Sequence, residues 1–391
     1  MLFINVGSEV KKMYPEISLE TIHFCPQYTE LNCRAGCAME AKESKIRILS
    51  LNGGGVRGLY TISLLAEFER VLSNGDERYS IAEHFDLLAG TSIGGLIVLG
   101  LANGKTAREL EQKVWQHAAT IFPPRKNFVP KFLWAIWKGI RAFFSNRYNG
   151  EDVSRAVADI VGAESTMRGL QSRVLIPTLN ISTGKPLIVK TCHNPRFTRD
   201  DQLKLVDVAR ATSAAPTYFE PHFIQELNAY FVDGGLVANN PSYIAYHEAA
   251  TDLKEELNVE TEEQIFVLNV GTMASEFCIN PEKIEGMSAG YMKLWGLGAT
   301  LVETVMTGNQ WMHHFMTARA LPKENHIMLD DVVPDQQARI ITLDNSRTDA
   351  LNVLAARGKH KATESLADTN LNLRSKFFRN KAKKFVHPGD K

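Results

Sequence analysis

The pentapeptide Gly90-Thr91-Ser92-Ile93-Gly94 constrains this chain more than any other stretch. A short apolar run, Phe85-Asp86-Leu87-Leu88-Ala89, leads into it, and a longer one, Gly95 to Ala102, follows. A buried strand that turns at once into a helix leaves room only for glycine on either side of the turn. Gly90 and Gly94 meet that demand, and the turn holds the Ser92 hydroxyl out over the end of a sheet. A Gly-Ser loop without chemistry has the same composition, so the pentapeptide alone makes Ser92 no more than a candidate nucleophile.

Two further stretches bear on that choice. Ile46-Arg47-Ile48-Leu49-Ser50-Leu51 reads as a buried strand, and a helix is expected from Leu59 to Leu72. Between them lies Asn52-Gly53-Gly54-Gly55-Val56-Arg57-Gly58. A strand, glycine loop and helix in series leave backbone N–H groups unpaired and aimed at one spot, which suits an anion. A Walker loop would need a Lys-Ser/Thr pair where Leu59-Tyr60 stand, and the glycines are out of register for a dinucleotide fingerprint. An oxyanion hole facing Ser92 fits better. Arg57 either adds charge there or braces the loop. The other stretch is Tyr230-Phe231-Val232 running into Asp233-Gly234-Gly235, with Asn239-Asn240-Pro241 opening the next helix. Asp233 at a strand end is placed to reach a neighbouring strand end, although Asp-Gly-Gly is also an ordinary turn.

The rest reads as α/β scaffold. Thr106 to Glu109 forms a capping box for a helix to about Phe122, and a helix is expected over 152–161. Strands are expected over 173–180 and 186–190, a helix over 206–213 and a buried strand over 264–272. Tyr291 to Ala320 reads as mostly helical, Arg339-Ile340-Ile341-Thr342-Leu343 as a late strand, and helices follow to the end. The basic tail from Arg374 is expected to be a solvated helix end, with anionic-lipid contact as the alternative. Pro123 to Gly150 carries cations and aromatics without an acid, and residues 130–144 fit an amphipathic helix at a membrane interface. An ordinary packed helix is the alternative there. Single-stranded nucleic acid is disfavoured, because Lys+Arg and Asp+Glu are both 44 and no RNP-like motif is present.

Several classes fall away. No run of about 18 apolar residues suggests a membrane-spanning helix, and the first residues lack the pattern of a secretory signal, so a cytoplasmic protein is expected. Residues 1–44 show no sustained period and read as a loosely attached extension, with Met39 as a candidate natural start. Cys33 and Cys37 would need further ligands to hold a metal, and no metal site or cofactor is expected.

Gly53-Gly54-Gly55-Val56-Arg57-Gly58, Gly90-Thr91-Ser92-Ile93-Gly94 and Asp233-Gly234-Gly235, in that order, resemble the motifs of the patatin-like phospholipase family. Ala211-Thr212-Ser213-Ala214-Ala215-Pro216 looks like the segment before the Asp, and the resemblance covers about residues 45–273. Across Leu49 to Leu59, Gly90 to Ala102, Leu175 to Pro186 and Asp233 to Ser242 the chain is similar to the bacterial CapV-type members, phospholipases switched on by cyclic dinucleotides in anti-phage defence. The resemblance implies a three-layer α/β fold with a mainly parallel sheet over 45–273 and a mostly helical C-terminal part, 274–391, packed on it. It also implies a Ser92-Asp233 dyad without histidine and an oxyanion hole at Gly53, Gly54, Gly55 and Arg57. The expected reaction is acyl hydrolysis of phospholipid at the inner face of the membrane, activated by a ligand such as 3',3'-cyclic GMP-AMP, with self-association as an option. A Ser-His-Asp triad drawing on His193, His222 or His247 is the rival chemistry. A nucleotide-binding sensor with a vestigial hydrolase site is the rival function.

Overall fold

The computed structural model describes residues 44–122, 150–273, 295, 299–333 and 340–390. The expectations for residues 1–43 and for the aromatic, basic stretch at 123–149 lie outside the described residues. From Ser44 onward the described residues belong to one compact unit.

The described strands form one sheet in the order β5-β6-β3-β2-β1-β7-β8, with β4 also paired to β3. They are β1 Ile46–Leu51, β2 Leu87–Gly90, β3 Val174–Asn180, β4 Lys185–Lys190, β5 His222–Ile224, β6 Ala229–Asp233, β7 Ile265–Val270 and β8 His326–Leu329. The β1-β2, β2-β3, β1-β7 and β7-β8 pairs are parallel, and β4, β5 and β6 add the antiparallel margin. The helices that matter below are α1 Gly58–Leu72, α2 Ile93–Ala102, α3 Ala107–Ile121, α4 Gly150–Val161, α5 Leu205–Ser213, α6 Ser242–Glu248, α7 Ala299–Ala320 and α8 Thr348–Ala367.

Strand alternation divides the core into two. Leu49 and Leu51 of β1, Leu88 of β2, Ile176 of β3 and Leu268 of β7 face the layer of α1 to α5 and α8. Ile46, Ile48, Leu87, Ala89, Leu175, Ile265 and Val267 face the opposite layer, which holds Ala245, Tyr246, Ala249 and Leu253. A sheet covered on both faces needs apolar residues on both sides of each central strand, so these strands read as continuous apolar runs. The result is a three-layer α/β fold with a mainly parallel sheet.

The pairing of β3 decides where the site falls. Leu175 pairs with both Ala89 of β2 and Lys190 of β4, and Thr178 pairs with both Asp233 of β6 and Leu187 of β4. A strand has two edges, so β2 and β6 share one edge of β3, laid end to end. The former runs parallel to β3 and the latter antiparallel, and their C-terminal ends therefore meet. One of those ends leads into Ser92 and the other is Asp233.

Two expectations are corrected. Residues 340–343 are turn and irregular chain, and the late strand is His326–Leu329 instead. The carbonyl of Leu343 accepts the Val56 N–H of the glycine loop at 3.0 Å, which ties this segment to the loop, while His326–Leu329 takes the sheet position beside β7. The tail is not a solvated helix end. Phe377 and Phe378 are buried against Phe85, and beyond them the chain passes, without regular structure until a short turn at 388–390, along the N-terminal ends of the strands. There the Ala382 N–H donates to the Glu83 carbonyl at 2.7 Å, Arg47 donates to the carbonyls of Phe377 and Asn380, and the His387 ring bonds Asp201 at 2.9 Å.

Candidate active site

Ser92 sits at φ 55°, ψ −124°, a left-handed conformation that a non-glycine residue holds only when its surroundings enforce it. The enforcement is visible. A Cβ on Gly90 would strike the Gly94 carbonyl oxygen at 2.3 Å, and one on Gly94 would strike the Leu51 carbonyl oxygen at 2.5 Å. The Ser92 N–H donates to Thr212 Oγ1 at 3.1 Å, and that hydroxyl donates to the Pro177 carbonyl at 2.7 Å. Before it, Thr91 Oγ1 donates to the Ala238 carbonyl at 2.6 Å. The elbow is thus tied to β3 and to the chain after β6.

Ser92 Oγ donates to Asp233 Oδ2 at 2.8 Å. The other carboxylate oxygen accepts the Gly235 N–H at 2.7 Å, which fixes the carboxylate plane. Gly234 lies against β3 so closely that a Cβ would meet the Pro177 oxygen at 2.1 Å. Burial pushes the Asp233 carboxyl up to about 6, and the Gly235 and Ser92 hydrogen bonds pull partly against it. A carboxylate in that range is a better proton acceptor than an ordinary Asp near 3.9.

The glycine loop can be accounted for donor by donor. Gly53 N–H is taken by the Asn239 carbonyl, Val56 N–H by Leu343 and Arg57 N–H by Gly54. Among the described residues the N–H groups of Gly54 and Gly55 have no partner. A Cβ on Gly53 would come within 3.3 Å of Ser92 Cβ, which places the loop directly beside the nucleophile. Thr272 Oγ1 donates to the Gly53 carbonyl at 3.1 Å and packs on Gly54. Arg57 is buried with its Nε unpartnered among the described residues. Its pKa is lowered by burial, against the pull of Glu303, Asp330 and Tyr218. Asp330, at the end of β8, accepts N–H groups from Met273 and Asp331 and is likewise pushed up to about 6 by burial.

Ser92, Asp233 and Gly55 open on a narrow, mainly apolar cleft lined by Leu96, Phe122, Val153, Val157, Phe219, Val302 and Met306. No histidine is among its described lining residues. His193 bonds Glu248 and Thr191, His222 bonds Asp207, and His247 is exposed. Away from the cleft, Cys192, Asp201 and His387 place three potential ligand atoms within 4.8 Å of one another. His387 Nδ1 receives N–H groups from Gly389 and Arg168, each at 3.2 Å, so its Nε2 carries the proton shared with Asp201. That wiring leaves no imidazole lone pair for a cation.

Sequence reading gave no role at the site to Thr212, Asn239, Thr272, Asn309 or Gln310, although Thr212 and Asn239 fall in stretches noted above. Asn239 Nδ2 donates to Gln310 Oε1 at 2.7 Å, Asn309 Oδ1 accepts the Asn239 N–H at 2.8 Å, and Asn309 Nδ2 donates to the Gly235 carbonyl at 2.7 Å. The one available signal was the Asn239-Asn240-Pro241 run: one Asn serves the helix start, since Asn240 Oδ1 accepts the Ser242 N–H at 3.0 Å, and Asn239 is left over for another role.

A family model described as patatin-like phospholipase matches residues 49–246. The chain is 45% identical over 352 residues to a cGAMP-activated phospholipase of Vibrio cholerae, covering 88% of this chain and 98% of the relative. It is 45% identical over 348 residues to a protein of the same description in Escherichia coli, covering 87% and 95%. A third such protein, in Pseudomonas aeruginosa, is 35% identical over 82% of this chain and 89% of its own length.

Proposed function

We propose a mechanism and a switch for this chain, which belongs to the patatin-like phospholipase family and is a lipid acyl hydrolase. The mechanism rests on one observation: the 2.8 Å hydrogen bond from Ser92 Oγ to a buried carboxylate, beside two N–H groups that have no partner among the described residues. Ser92 Oγ adds to the ester carbonyl carbon as its proton passes to Asp233 Oδ2. The carbonyl oxygen becomes an oxyanion held by the N–H groups of Gly54 and Gly55. The ester C–O bond then breaks, and the departing alkoxide of the lysophospholipid takes the proton from Asp233. Water attacks the acyl-enzyme as Asp233 removes its proton. The fatty acid leaves and Ser92 recovers its hydrogen. Gly53 and Arg57 shape the loop from behind, since the Gly53 N–H already serves Asn239.

The cleft encloses only about 60 Å3 of free volume, room for a few waters. An acyl chain enters only if its lining parts, so we read this conformation as the silent one. A hydrolase of membrane lipid acting inside the cell that makes it needs such a state, and a ligand that binds the open form better shifts the balance. The descriptions of the Vibrio, Escherichia and Pseudomonas relatives point to cGAMP as that ligand. The lipid attacked is then that of the inner membrane face. Fatty-acid release from phospholipid vesicles, followed by mass spectrometry with and without 3',3'-cGAMP, tests both parts. Release that requires cGAMP and vanishes in Ser92→Ala is expected. Release without cGAMP and unchanged by it removes the switch, and release surviving Ser92→Ala removes the mechanism.

A further inference from the structure

Helix α7 has its polarity inverted. A helix on the surface of a soluble domain turns its apolar stripe inward and its polar face to water. In α7 the buried positions recur at helical spacing as Met306, Gln310, His313 and Thr317, so three of these four are polar. They are bonded inward: Gln310 to Asn239, His313 Nδ1 to the Asn240 carbonyl at 2.8 Å, and Thr317 to Ser242 at 2.9 Å. The opposite side carries Val305, Trp311, Met312, Phe315 and Met316, which are 41%, 37%, 53%, 62% and 37% exposed. Trp311, Met312, Phe315 and Met316 lie three and four apart, and Val305 lies two turns before Met312, so the five share one stripe.

From these observations we propose that the outer face of α7 is the surface with which the protein docks on a phospholipid bilayer. This rests on the reading above that the substrate is membrane phospholipid. Three features select a bilayer as the occupant. The same helix lines the Ser92 cleft through Val302 and Met306, so the stripe continues outward from the place where an acyl chain must enter. An acyl chain leaving a bilayer avoids water only where the mouth of the cleft touches lipid. From Thr304 to Ala320 there is no Asp or Glu and the one fixed cation is Arg319, so nothing on this face repels an anionic surface. The side chains themselves, one Trp, one Phe and two Met with a Val, suit partial immersion at the level of the headgroups.

The test uses full-length protein carrying Met312→Glu and Phe315→Glu together, with 3',3'-cGAMP present throughout. Binding is read in the Ser92→Ala background, where vesicles are not consumed, by sedimentation with mixed phosphatidylethanolamine and phosphatidylglycerol vesicles. It should fall about tenfold or more, the loss expected when two partly immersed apolar side chains become charged. In the Ser92 background, hydrolysis of those vesicles should fall in parallel, while hydrolysis of a water-soluble short-chain ester stays within about twofold and the melting temperature is unchanged. Phe315→Leu should restore most of the binding. Unchanged vesicle binding overturns the proposal. So does equal loss on both substrates, which would make the stripe part of the folded site, and so does dissociation of an oligomer with vesicle binding intact, which would make it a protein interface. If the parent cleaves the soluble ester but no phospholipid, the substrate reading has failed, and the binding arm still decides the docking face.

Discussion

The two ends of the sheet are built on opposite principles. At the C-terminal ends of β1, β2 and β6 polar groups are left available: a serine at φ 55°, two glycine N–H groups without a partner among the described residues, and a carboxylate held near 6 by burial. At the N-terminal ends charged groups are paired and covered instead, although the Nε atoms of Arg47 and Arg173 have no hydrogen-bond partner among the described residues. Arg47 accompanies Asp86, whose Oδ2 also accepts the Arg47 N–H at 2.9 Å. Arg173, fully buried, reaches Glu256 at 3.0 Å and lies over the Phe385 ring at 5.2 Å, while Arg168 binds Asp390 at 2.7 Å. The C-terminal tail supplies many of these partners. Both ends bury charge, and the contrast lies in what accompanies it: Arg47 and Asp86 are desolvated but face each other, whereas Asp233 is desolvated with no cation beside it among the described residues and keeps its oxygen on Ser92.

The largest effect that could break this contrast is at the open end. Ser92→Ala and Asp233→Asn should each lower hydrolysis of a soluble ester by about 10³-fold or more, because the two groups act as a unit. Circular dichroism and gel filtration should show both variants folded. Substantial activity in either would mean that the bond between them is structural, and the open end would lose its function in this comparison.

At the closed end the order of effects reverses. Arg173→Met removes one partner of a nearly buried ion pair and its ring contact, and should cost about 3 kcal/mol of stability. Urea denaturation reads this as a lower midpoint with the same slope. Soluble-ester kcat/KM at 25 °C should stay within about twofold for the protein that remains folded. A large loss of kcat/KM with unchanged stability would show that the two ends are coupled rather than divided.

Much of the open end was legible because it is written in local constraints. Gly90 and Gly94 permit one geometry around Ser92, the three loop glycines permit another, and the apolar runs of β1, β2, β3 and β7 can be buried only in a covered sheet. The closed end was not legible. Residues 374–390 carry many cations, and sequence alone cannot say that Arg47 will donate to the carbonyls of Phe377 and Asn380, that Glu83 will pair with Lys381, or that Asp86 and Asp201 will bond the Lys383 N–H and the His387 ring. The same holds for Ile340-Ile341-Thr342-Leu343. Its β-branched residues favour a strand, but the Val56 N–H needs the Leu343 carbonyl, and His326–Leu329 fills the sheet position beside β7. Asn309 and Gln310 were invisible for a similar reason, since a polar helix face looks solvated until its partners, Gly235 and Asn239, are known.

The smallest predicted effect bears directly on the cost of the open end. Asp233 is pushed up to about 6 by burial, above an unfolded value near 3.9, so between those two values the folded protein holds a proton that the unfolded chain has released. Stability tied to this group is therefore present at low pH and is lost as pH rises through about 6. Activity moves the other way, because the proton acceptor must be ionised, and kcat/KM on a soluble ester should rise as pH passes about 6 and then level off. Asp233→Asn keeps the shape and the Gly235 hydrogen bond without the charge. It should gain about 1–3 kcal/mol at pH 8, an upper range set by the shift of about two pKa units, and the gain should vanish below about pH 4. Asp330→Asn, whose carboxyl is raised to about the same value with the Arg57 attraction already counted, should show a gain of similar size and the same pH dependence. Urea midpoints of both variants across pH 4 to 8 decide the matter. A gain for Asp233→Asn that does not shrink on acidification would mean that the carboxylate carries no ionisation cost in the folded protein.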